Sequence, residues 1–139
     1  MKFHPIGQGP IPVYDFRRGD GGAVEVPKEV AAKPIERIGL GHRQMWLTFG
    51  ADALQIHIAW AGQGLYRYEL GCGKTAALSD TIYSHVDAKR LTAALAGSTL
   101  DRIELSAECV ELTCGGKFVE LSAKGVVCGE RDDRPDTRH

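Results

Sequence analysis

Cys109-Val110-Glu111-Leu112-Thr113-Cys114-Gly115-Gly116-Lys117-Phe118-Val119-Glu120-Leu121-Ser122 contains two alternating runs joined by a pair of glycines. A two-residue Gly-Gly loop suits the primed turns, whose twist matches that of paired strands, so the stretch predicts a β-hairpin. In that register Cys114 faces Lys117, Leu112 faces Val119 and Val110 faces Leu121, which makes one side mainly apolar. The other side carries Glu111, Thr113, Phe118 and Glu120 and is expected to be mostly wet. Glu111 opposite Glu120 is a like-charge pair, a mild penalty on the register.

Working outward, the same period-two pattern recurs upstream. Leu54, Ile56, Ile58 and Trp60 alternate with Gln55, His57 and Ala59, and Met45, Leu47 and Phe49 alternate with Trp46 and Thr48. Both read as half-buried strands. Leu65 to Leu70 reads as a third, entered from a turn at Gly62-Gln63-Gly64. Asp87 to Gly97 reads as a helix, with Ala88, Leu91 and Leu95 at helical spacing, Asp87 placed to cap the start and Gly97 to end it. Val26 to Lys33 predicts a second helix, with Pro27 at its first position and Pro34 as its stop.

The intervals repeat between halves: Leu47 precedes Leu54 by as many positions as Ile103 precedes Val110. Repeats of this kind predict an α+β domain, residues 23–128, made of two strand-helix-three-strand units at about 23–72 and 80–124, with the helices on one face of antiparallel sheets. The ends read differently. Residues 1–22, with Pro5, Pro10, Pro12 and several glycines, predict an irregular arm, and residues 129–139, almost all charged, a disordered tail.

The chain of 139 residues, 43% hydrophobic and 25% charged, is sized and composed for one globular domain. Its formal net charge of −1 is not that of a protein devoted to gripping phosphates. No signal-peptide pattern opens it and no stretch is apolar enough to span a bilayer, so a cytoplasmic protein with no membrane partner is expected. There Cys72, Cys109, Cys114 and Cys128 are expected to stay free.

Motifs with chemical meaning are few. Gly71-Cys72-Gly73-Lys74-Thr75 has the end of a phosphate loop, but Tyr68 stands where that loop needs its first glycine, so a turn is the better reading. Arg18-Gly19-Asp20 is read as a turn. His4, His42, His57, His85 and His139 are scattered, without metal-ligand spacing, so no metal and no cofactor are expected. Ser84, His85 and Asp87 contain the residue types of a nucleophilic set, yet Ser84 and Asp87 are more simply helix-start residues. Trp46, Tyr66, Tyr68 and Phe118 are candidate partner-binding aromatics.

Val86-Asp87-Ala88-Lys89-Arg90-Leu91, then Ile103-Glu104-Leu105, Val110 to Cys114 and Gly116 to Leu121, resembles a half-domain of the bacterial DNA polymerase sliding clamp, best over residues 82–122. The resemblance implies a non-enzymatic binding module whose helices carry basic side chains toward the backbone of double-stranded DNA. On this chain those are Lys89 and Arg90, with Lys28 and Lys33 on the first helix. Any DNA contact is expected to be weak and independent of sequence. An adaptor or inhibitor that binds only protein, and a small hydrolase, are the alternatives. Self-association, with a dimer favoured, is expected through the open edge of an outer Lys117–Ser122 strand.

Overall fold

The computed structural model describes residues 4–5, 13–16, 21–62, 65–106, 109–122 and 124–130. In chain order these form β1 (His4–Pro5), β2 (Val13–Phe16), β3 (Gly21–Val24), β4 (Arg37–Gly41), β5 (Gln44–Phe49), β6 (Asp52–Gly62) and β7 (Leu65–Lys74). Two 3-10 turns, Thr75–Ala77 and Asp80–Tyr83, lead into α1 (Val86–Leu95), followed by β8 (Leu100–Ser106), β9 (Cys109–Cys114), β10 (Lys117–Ser122) and β11 (Gly125–Glu130). The class is α+β.

Two sheets result. The first runs β1-β7-β6-β5-β4, with β2 also on β7, and the second runs β11-β10-β9-β8-β3. Pairing is antiparallel throughout except for the short β1 contact with β7. The Gly-Gly hairpin forms in the expected register, Leu112 opposite Val119 and Val110 opposite Leu121, with both turn glycines at positive φ (55° and 87°). A single apolar core draws on both sheets and on α1: Met45, Leu47, Ile56, Leu70, Leu95, Ile103, Leu112 and Val119 all belong to it. Ala88, Leu91 and Leu95 are the buried stripe of α1, which packs on β4.

Several expectations change. The second helix does not form. Val30 and Ala31 N–H both bond to the Pro27 carbonyl (3.1 and 2.9 Å), then Ala32 takes a left-handed backbone (φ 61°) and the turn ends. Pro34 explains this: its ring would collide with the carbonyl of Val30 in a longer helix, so the chain leaves instead to bridge Thr99. Residues 23–72 are therefore a strand, a turn and then β4, β5, β6 and most of β7, four strands where three were expected. The repeat interval also has two meanings, since Leu47 pairs with Leu54 whereas Ile103 pairs with Leu112.

The arm expected over 1–22 is strand at its described residues, where β1 and β2 pair with β7 and the first two residues of β3 pair with β8. Gly129 and Glu130, assigned from sequence to the tail, complete β11; residues 131–139 lie outside the described residues, as do Gln63 and Gly64 of the expected Gly62-Gln63-Gly64 turn, whose Gly62 ends β6. The outer strand of the second sheet is thus β11 and not Lys117–Ser122, because six more residues pair along it. Nor is the second face of the hairpin wet. Glu111 is 2% exposed and Phe118 8%, and the Phe118 ring lies so close to Gly129 that a Cβ there would fall 3.1 Å from it. Among the described residues, no helix is long and apolar enough to cross a membrane.

Candidate functional site: a cleft between the two sheets

Three turns distant in sequence meet at one place. The β4–β5 turn brings His42 and Arg43, the start of α1 brings His85 and Asp87, and the β10–β11 turn brings Ser122 and Lys124. Between them lies a cleft of about 440 Å³. Leu40, Leu121 and Val126 give it an apolar floor, and Leu121 is anchored in the core.

Local chemistry fixes each wall. Gly41 precedes the first turn because the Trp46 ring lies against it, so that a Cβ at Gly41 would be 3.0 Å from the ring. Arg43 holds a left-handed backbone (φ 56°), which L side chains other than Asn and Asp seldom adopt, while its carbonyl accepts a bond from Ile58 N–H (2.9 Å). The second wall begins at His85, which caps α1: its Nδ1 accepts from Asp87 N–H at 3.1 Å, so the cap expected at Asp87 lies two residues earlier. Ser122 shapes the third, its hydroxyl accepting from Lys124 N–H (3.2 Å).

The rim is cationic. Its lining holds Arg43 and Lys124 against a single carboxylate, Asp87, which already has Arg90 3.5 Å away. Gln44 adds an amide held by Gln55 at 3.2 Å.

The Ser84, His85 and Asp87 set is not assembled for catalysis. Ser84 Oγ donates to the Thr81 carbonyl at 2.8 Å, and His85 Nδ1 is occupied as an acceptor of a backbone N–H. A triad needs that nitrogen to donate to the carboxylate, so the tautomer fixed by the cap is the wrong one. Among the described residues no group of three or more potential ligands could hold a metal. The buried thiols of Cys72 and Cys114 are pushed up to about 12 by desolvation, which keeps them protonated and unreactive.

The residues singled out from sequence are dispersed. Lys89 and Arg90 stand exposed on α1. Lys28 and Lys33 are exposed on the turn that replaces the first helix, and Lys33 is committed to Asp52 (3.1 Å), a carboxylate it shares with Lys74 (2.8 Å). These two ion pairs hold the Asp52 carboxyl below its ordinary range, Lys74 contributing most. The four cations form no common helix face. Of the aromatics, Tyr68 is fully buried in the core and Phe118 nearly so on the outer face of its hairpin, where Gly129 lies against its ring; Trp46 is half-buried against Gly41. Tyr66 lies opposite Trp60 in the backbone ladder, and its side chain is outside the described part. Sequence reading missed His42, Arg43 and Lys124. The available signal was a turn between two strands written His-Arg, where a hairpin normally prefers Asn-Gly or Asp-Gly. No family model, curated protein or solved structure matches this chain.

Proposed function

We propose that the chain is a non-enzymatic binding module whose cleft receives an extended segment of a partner protein. An apolar side chain of that segment would rest on Leu40, Leu121 and Val126, with a carboxylate or amide beside it at Arg43 and Lys124. The observation that carries this reading is the combination of an apolar floor with a cationic rim, at a place where His85 is committed to a helix cap. Such a surface offers burial and charge-assisted hydrogen bonds. The sliding-clamp architecture belongs to the same proposal, supported by the two sheets and by α1 lying on one of them. So does the cytoplasm, supported by thiols that are free.

The test uses fluorescently labelled peptides of varied sequence, each with a leucine or phenylalanine next to an aspartate or glutamate, read by anisotropy. The expected result is saturable binding that weakens roughly a hundredfold or more when Arg43→Gly and Lys124→Ser are combined, since each hydrogen bond to a charged group contributes about 1.5–3 kcal/mol. Binding indifferent to both changes would sink the proposal, as would turnover of the peptides.

A second reading, weak contact with double-stranded DNA, is favoured by one observation: Lys89 and Arg90 are adjacent and exposed on α1. Their joint replacement by glutamate is expected to abolish whatever duplex binding the protein shows at low salt. The slope of affinity against salt should be shallow, because only two such cations share the helix.

A further inference from the structure

The two ends of the sheets are finished differently. On β4, alternation from the closing pair Gly41 and Gln44 turns the backbone groups of Ile38 outward, and Thr92 of α1 meets them: Ile38 N–H donates to Thr92 Oγ1 at 2.9 Å. That edge is closed by a helix. On β11 the closing pair is Ser122 and Gly125, so the same alternation turns Val126, Cys128 and Glu130 outward. Among the described residues, β11 has β10 as its strand neighbour on one side and none on the other. It contains no proline, and Val127, at its middle, is 58% exposed.

We infer that this edge pairs with the same edge of a second copy, antiparallel about Val127. The argument for a second copy is self-complementarity. In an antiparallel self-pair centred on residue 127, residue 126 meets 128 of the other copy and Gly125 meets Gly129, each twice by symmetry. Val126 and Cys128 are the residues whose backbone groups point outward, so they exchange hydrogen bonds across the axis. Their side chains lie half-buried on the core face, packed against the core, and the pairing continues that apolar face from one copy into the other. Val127 meets Val127 on the opposite face, removing the exposed side chain from water. Lys124, in the turn that leads into β11, and Glu130, at the far end of that strand, are both exposed and in no ion pair among the described residues, and the self-pair brings the Lys124 end of one copy to the Glu130 end of the other on both sides of the axis. The edge borders the cleft and shares Lys124 and Val126 with it.

Light scattering on the full chain tests it. A species of twice the 15.1 kDa chain mass is expected, dissociating on dilution. Lys124→Glu alone or Glu130→Lys alone should weaken the dimer roughly tenfold or more, because each turns two attractions between facing strand ends into repulsions. The double variant Lys124→Glu/Glu130→Lys should restore it. Val127→Cys should give a disulfide-linked dimer under mild oxidation, since a directly opposed pair without mutual hydrogen bonds brings Cα atoms to bridging distance. A monomer up to millimolar concentration overturns the inference. So does a dimer unaffected by the single reversals, or one that the double swap fails to rescue.

Discussion

Gly39 sits under the 3-10 turn Asp80–Tyr83, where a Cβ would lie 2.6 Å from Ile82 Cγ1 and 2.9 Å from Ile82 Cβ. Those are distances at which something must move, and the nearer part of the Ile82 side chain cannot swing clear. Gly39→Ala is therefore expected to destabilise the protein by about 1–3 kcal/mol, the usual cost of overpacking, as read by urea denaturation. Gly22→Ala, with nothing within 4 Å of the added carbon, is the control and should be nearly neutral. Arg43 presents the opposite case. Its backbone is one that glycine adopts more easily, so Arg43→Gly relieves strain while removing a rim charge; unchanged or raised stability together with weaker peptide binding would mark the residue as kept for contact. At this scale the sequence was a poor guide. A histidine is not an expected helix cap, and the burial of Glu111 contradicts the alternation that made its face look wet, because burial on an outer face is decided by what lies over the sheet.

Among the elements, α1 does more than cover a face. Thr92 Oγ1 accepts from Ile38 N–H and lies within bonding reach of two carbonyls, Ala88 (2.8 Å) and Ile38 (3.3 Å), so one hydroxyl ties the helix to the edge of β4. Thr92→Val keeps the shape and leaves the Ile38 donor unmet, and is expected to cost about 1–3 kcal/mol; Thr92→Ser should recover most of it, with thermal melts as the measurement. The hairpin β9–β10 was legible to the residue, because a Gly-Gly turn fixes its own register. So was the buried stripe of α1, which depends only on helical spacing. The helix expected before Pro34 was not, although its stop was: a start signal and a run of alanines do not make a helix when only one turn fits before the proline. Strand β11 was lost for a different reason, since Gly125 to Glu130 alternates weakly and shades into the charged end of the chain.

For the molecule as a whole, composition and periodicity led to the α+β class, and the structure agrees. The cleft could not be read in the same way. Its walls come from residues near 42, 86 and 124, and no local pattern states that three turns will converge. One feature of the topology governs how such a molecule comes together. Strands β4 to β7 follow one another as neighbouring hairpins, each closed over a short span, whereas β3 pairs with β8, Gly21 opposite Ser106 and Val24 opposite Ile103. The first group can zip locally on the microsecond scale of hairpin formation. The β3 strand must instead wait, through the synthesis of roughly eighty residues at about 5–20 residues per second, for a partner that leaves the ribosome several seconds later. Until then its row of backbone donors and acceptors has water alone as its partner, and the nascent chain carries an unpaired strand through the interval between the making of β3 and the making of β8.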